Sequence, residues 1–179
     1  MEHQIQKETW TSGYILPAIT AILFFALCAV ALYRYYQTAQ VVGDQMIVDH
    51  VEQLATIFKN IDETCKIIGF EHEKNYVDFL TVRSFVGSEV GAMNLAHADK
   101  WAGPYVQDNP TIYEKQYLVV DTPKGYYVVP GDGVVLSNGK IVGKDLIFNR
   151  DTDFEALLAD PAGPLMFEDR PLVALIKKK

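Results

Sequence analysis

The sequence predicts an α+β protein in which one long N-terminal helix, membrane-spanning and then amphipathic, packs on a small antiparallel β-sheet. Three observations predict it. The run Tyr14–Tyr33 contains no Asp, Glu, Lys, Arg, His, Asn or Gln. From Ile47 to Ile68 apolar residues recur at spacings of four and three, the period of a helix with one buried face. Further on, short β-rich segments alternate with Pro-, Gly- and Asn-Gly-containing turns, as antiparallel hairpins require.

The first element follows from bilayer physics. A helix rises about 1.5 Å per residue, so this run spans about 30 Å, the thickness of a hydrocarbon core. A lone span satisfies its backbone there only as a helix. Pro17 is expected in the first turn, where its missing N–H is harmless. Trp10 and Tyr14 mark one end, and Tyr33, Arg34, Tyr35 and Tyr36 the other, as an interfacial belt. The run exceeds the apolar core of a cleaved signal and ends in Tyr-Arg-Tyr-Tyr rather than a small-x-small site. It therefore reads as an uncleaved anchor. Lys7 before it and Arg34 after it fix no orientation.

The second element is the continuation of that helix. Ile47, Val51, Leu54, Phe58, Ile61, Cys65 and Ile68 form the stripe, with Asp49, Glu52, Gln53, Lys59, Asn60 and Glu63 on the other faces. The stripe reads as a core face rather than a coiled-coil seam, Gly43 as either a kink between the membrane and soluble halves or only a weak point, and Gly69 as the stop. Tyr76–Phe85 suits a short helix or strand, and Gly87–Asp108 reads mostly as loop.

The third element is the sheet. Gln116–Asp121 and Tyr126–Val129 flank a Thr-Pro-Lys-Gly turn. Val134–Leu136 and Lys140–Val142 flank Ser137-Asn138-Gly139, giving a meander of three or four strands. Asp151–Asp160 reads as a short acidic helix, with Pro161, Pro164 and Pro171 breaking the tail and Lys177–Lys179 a solvated end. The expected organisation is a leader or cytoplasmic tail at 1–13, the span at 14–33, the α+β domain at 34–150 and an extension at 151–179.

Composition narrows the function. The chain has 179 residues and a net charge of −7, and about 145 residues beyond the anchor suffice for one domain with a core. No basic stripe points to nucleic acid. Cys28 lies in the apolar run and Cys65 beyond it, so a bridge between them is not expected. His3, His50, His72 and His97 show no zinc spacing, and there is no Gly-x-Ser-x-Gly and no phosphate loop. His50 is expected on a wet helix face. Glu71-His72-Glu73 and His97 with Asp99 do not converge, and Cys65 on the stripe reads as a small core hydrophobe. No enzymatic activity, small-molecule substrate or obligatory cofactor is inferred.

The segment Trp101-Ala-Gly103-Pro104-Tyr105, then Pro110, then Gly125-Tyr-Tyr-Val-Val, Gly131-Asp-Gly133, Gly139, Gly143 and Asp145 resembles type IV pilin-like proteins. Among these the chain looks most like the major pseudopilin of type II secretion systems, over about Gly13–Leu146. The Trp101–Tyr105 match is the more specific part of it. The resemblance implies a pilin-like fold and a structural subunit that forms homo-oligomers or filaments with other pilin-like subunits. It also implies an anchor in the cytoplasmic (inner) membrane, with the soluble domain facing the periplasm or exterior.

The resemblance further implies leader processing between Gly13 and Tyr14, and a calcium site for which Asp132, Asn138 and Asp145 are the candidates by position. Calcium takes six to eight hard oxygen ligands, although Asp and Asn also populate turns for backbone reasons. Trp101, Gly103, Pro104 and Tyr105 are expected to pin their loop to the sheet, with anchoring of a partner as the other role. Ala18 stands where the family carries a glutamate, and Asn109-Pro110-Thr-Ile where it carries Asp-Pro-Trp-Gly. A membrane-anchored binding module that does not polymerise is the alternative function.

Overall fold

The computed structural model describes residues 5–179, with side chains from residue 15 onward. The fold is α+β: one long N-terminal helix and several small antiparallel sheets. Contacts divide the chain into a unit ending at Ala39 and a unit Gln40–Lys179. Helix α1 runs from Ile5 to Cys65.

In the first unit the apolar side chains face outward. Leu16, Phe25 and Leu27 are about seven-tenths exposed, at 70%, 71% and 69%. A helix with this composition and no covered face is long and apolar enough to cross a membrane. Because α1 begins before Tyr14, Pro17 lies inside the helix rather than in its first turn. The Thr20 hydroxyl sits one turn on and donates to the carbonyls of Leu16 (3.1 Å) and Pro17 (2.9 Å).

In the second unit the stripe behaves as a core face. Ile47, Val51, Leu54, Phe58, Ile61 and Cys65 are all buried, joined by Val48 and Ala55. Ile68 does not belong to it, because α1 stops at Cys65. Lys66 turns into the left-handed region (φ 56°), and its N–H still reaches the Asp62 carbonyl at 3.1 Å. The Asp62 carboxylate accepts from Ile67 N–H at 2.9 Å. The final carbonyls are taken by Ala96 N–H on Lys66 (2.9 Å) and His97 N–H on Cys65 (2.8 Å). These pairings occupy groups a helix end leaves open. Ile67–Phe70 then forms β1, with Gly69 inside the strand rather than stopping the helix.

Strand β2 (Lys74–Tyr76) precedes a single 3-10 turn at Asp78–Thr81. The stretch Gly87–Asp108, expected to be mostly loop, contains β3 (Glu89–Val90), β4 (Met93–Leu95) and a 3-10 turn at Ala98–Lys100. Strands β1, β4 and β3 form a three-stranded sheet in that order. A two-stranded hairpin, β5 (Thr111–Ile112) and β6 (Lys115–Gln116), leads into β7 (Leu118–Thr122) and β8 (Gly125–Val129). Helix α2 spans Phe154–Leu158, and its N-cap Asp153 accepts from Ala156 N–H. Strands β9 (Met166–Phe167), β10 (Arg170–Pro171) and β11 (Ala174–Lys178) end the chain.

The central sheet has the order β11-β8-β7-β2. It does not include the expected hairpin at 134–142, which survives as one antiparallel bridge, Val135 to Ile141. Every residue of β7 and β8 is buried, so both faces of these strands are covered. On one side Phe70 meets Tyr126 (ring centroids 5.0 Å) and Phe58 meets Phe70 (6.2 Å) and Phe79 (6.0 Å). On the other Phe154 of α2 stacks on Tyr127 at 4.5 Å.

The segment 151–179 is thus part of the core and not an appendage to it. At Gly125 a Cβ would lie 2.3 Å from the Lys177 carbonyl, so glycine permits the approach of β11. Lys178 and Lys179 stay exposed, yet all three closing lysines are paired. Lys177 pairs with Asp62 at 2.8 Å, Lys178 with Glu155 at 3.4 Å, and Lys179 with Asp121.

Candidate functional site

Three regions carry the residues that the sequence singles out. In the first, helix α1 passes through Gly13 and Tyr14 as backbone; the Tyr14 side chain, like Trp10 and the first four residues, lies outside the described residues. Beyond them the exposed apolar face continues to Tyr33, Tyr35 and Tyr36.

The second region is the loop Trp101–Tyr105. Its anchor is the 3-10 turn at 78–81 and the strand-like exit after it, not the central sheet. The Trp101 indole N–H donates to the Val82 carbonyl at 3.0 Å, and Tyr105 N–H donates to the Leu80 carbonyl at 2.9 Å. The two rings meet edge-on at 4.8 Å, and Phe85 packs on Trp101 at 5.5 Å, both within the favourable range for aromatic pairs. The Tyr105 hydroxyl accepts from Ala102 N–H at 3.3 Å. Burial holds this phenol above its usual range. Gly103 is where Trp101 and Val82 close together: a Cβ there would stand 2.4 Å from both the Trp101 indole nitrogen and the Val82 carbonyl oxygen. Gly103–Pro104 is a cis peptide. The sequence expects these residues to pin the loop to the sheet; in the fold they dock on Leu80 and Val82 instead.

The third region is the turn-rich stretch of Asp132, Asn138 and Asp145. The Asp132 carboxylate pairs with Lys74 at 3.1 Å. Asn138 accepts from Lys140 N–H at 3.0 Å and donates to the Pro164 carbonyl at 3.0 Å. Asp145 accepts from Ile141 N–H at 2.9 Å. Each of the three side chains bonds a different protein group. Among the described residues, no group of three or more His, Cys, Asp and Glu is placed to hold a metal ion.

His50, Tyr117 and His72 each have a protein partner. His50 is not on a wet face: its Nδ1 lies 3.0 Å from the Tyr117 hydroxyl, and it is half-buried. Tyr117 is fully buried, and burial pushes its hydroxyl far above the usual range. His72 pairs loosely with Glu71 at 3.7 Å on the surface. A cleft of about 250 Å³ opens beside β1 and the β3–β4 turn, lined by Ile68, Phe70, Glu71, Glu89, Met93 and Asn94. Its titratable groups are two carboxylates, with no nucleophile or histidine between them.

One functional-looking residue escapes the sequence reading. Asp44 is 2% exposed. One carboxylate oxygen, Oδ2, accepts from the Ser137 hydroxyl at 2.6 Å and the Ser137 N–H at 3.1 Å. The other, Oδ1, is buried with no hydrogen-bond partner among the described residues. Burial raises its pKa, and the Ser137 bonds oppose that rise. The available signal is its position three residues before Ile47, in register with the apolar stripe. Compared with family models, curated proteins and solved structures, the chain finds no match.

Proposed function

We propose that this protein is a membrane-anchored structural subunit of a type II secretion or type IV pilus-like assembly. The anchor would lie in the cytoplasmic membrane, with the α+β unit on its outer side, and copies would associate with one another and with similar subunits. The observation that carries this is the division of labour within one helix. Its segment Ile15–Tyr33 exposes an apolar surface, and its C-terminal half is the spine of an α+β core. An exposed apolar stem can be buried in lipid, or against other stems when subunits leave the lipid; apolar packing in both settings needs no change in chemistry. The loop pinned by Trp101 and Tyr105 supports the reading through the resemblance at those residues.

Ala18 favours the second reading, a permanently anchored module that does not polymerise. A span without a carboxylate has no group to pair with a neighbouring amino terminus. The two readings part at the mature N-terminus. Intact-mass measurement of the full chain from its native membrane is expected to show a start at Tyr14, and crosslinking in that membrane is expected to join stems of neighbouring copies. A chain still beginning at Met1 and running only as a monomer would replace the subunit by the anchored module.

A further inference from the structure

We infer that Asp44 and the 134–142 hairpin form a pH-responsive clasp, closed while Asp44 holds a proton and loosened when the carboxyl ionises. The hairpin seats Val134, Leu136 and Val142 in the core, and its own backbone bonds include Leu136 N–H to the Lys140 carbonyl (2.9 Å), Gly139 N–H to the Leu136 carbonyl (2.9 Å) and Val142 N–H to the Val134 carbonyl (2.9 Å). Its tip is tied to α1 through Asp44 and Ser137, and to the C-terminal segment through Asn138 and Pro164. The tie to α1 ends on an acid whose second oxygen is buried without a partner. A buried carboxylate in that state is costly as an anion and far less so as a neutral acid.

The charged groups around it do not remedy this. On α1 itself, Asp49 is engaged by Arg170, and His50 by Tyr117. On the hairpin, Lys140 is exposed, and the flanking Asp132 and Asp145 serve Lys74 and Ile141. The β5–β6 turn packs Tyr113 so closely on Gly43 that a Cβ there would stand 1.8 Å from the phenol oxygen; Glu114 and Lys115 of that turn are exposed. Burial is the largest influence on Asp44, and no charged side chain adds to it. The closed state therefore binds the proton more tightly than the open one. Its advantage is complete below the ordinary carboxyl value of 3.8 and is lost as pH rises through the raised value of the closed clasp.

The test is amide hydrogen exchange on the full chain in detergent micelles across a pH series, corrected for intrinsic exchange with unfolded peptides. Opening at Leu136, Gly139 and Val142 should rise by up to about tenfold per pH unit above the ordinary carboxyl range and then level off. Amides of the β7–β8 ladder should stay flat, and Asp44→Asn should flatten the hairpin amides too. Hairpin opening that ignores pH in the wild type, or the same slope in Asp44→Asn, would overturn the clasp. If that variant does not fold, the wild-type Asp44 carboxyl can be titrated by carbon NMR. A midpoint above 3.8 supports the clasp, and one at or below it overturns it.

Discussion

Phe58 and Ile68 occupy the same stripe in the sequence and opposite situations in the fold, so a pair of alanine substitutions tests where α1 ends. Phe58 is 0% exposed and Ile68 is 63% exposed. Phe58→Ala removes a ring that touches Phe70 and Phe79 edge-on and leaves a cavity, at a cost of about 3–5 kcal/mol. Ile68→Ala removes a side chain mostly in water and some strand preference, together under about 1 kcal/mol. The assay is urea unfolding in mild detergent of the full chain carrying Trp10→Phe, followed by the tryptophan emission, which then reports on Trp101. With a slope of about 2 kcal/mol per molar urea, Phe58→Ala should lower the midpoint by about 2 M, and Ile68→Ala by less than about 0.5 M. A loss at Ile68 equal to that at Phe58 would mean that the helix continues past Cys65 and that the Asp62 cap does not stop it.

Gly103→Ala should break the Trp101 indole bond to Val82, because the added methyl collides with both atoms of that bond; a loss of about 1–3 kcal/mol in the same unfolding assay, with a shift in tryptophan emission, checks it. Asp153 and Glu155 are held below the ordinary carboxylate range by the Lys124 ammonium, with the Ala156 N–H also holding Asp153 down. Their contribution is therefore fully present above that range and lost as pH falls through their lowered values, opposite in sign to Asp44. Exchange of the Ala156 and Leu157 amides should accordingly accelerate on acidification, and a flat profile would contradict the Lys124 clamp.

The parts legible in the sequence are those with a local physical cause. Tyr14–Tyr33 announces an apolar helix because it holds no charged or amide side chain. Ile47–Cys65 announces a buried face through its period, and β7 and β8 through β-branched and aromatic runs around a Pro-Lys-Gly turn. Trp101–Tyr105 is legible as a packing cluster because two large aromatics around Gly-Pro have few other uses. The hairpins β5–β6 and β9–β10 were invisible for the converse reason. Their two-residue turns carry Tyr113-Glu114 (φ 50° and 63°) and Glu168-Asp169 (φ 48° and 63°), where a sequence reader looks for Asn-Gly. Left-handed backbone at such residues costs about 1–2 kcal/mol each and is held in place by the surrounding structure.

Composition and periodicity alone determined that this protein has an apolar N-terminal helix, that the same helix becomes the spine of an α+β unit, and that an antiparallel pair lies at the centre of that unit. Tertiary structure decided the rest, because it depends on partners distant along the chain. The helix stops at Cys65 because the Asp62 carboxylate and the Ala96 and His97 amides meet its last turn. The C-terminal segment joins the core because Phe154 finds Tyr127 and because Lys177, Lys178 and Lys179 each find an acid on a different element. Asp44 is buried because Ser137, 93 residues away, bonds to it, and no local pattern records a contact of that range.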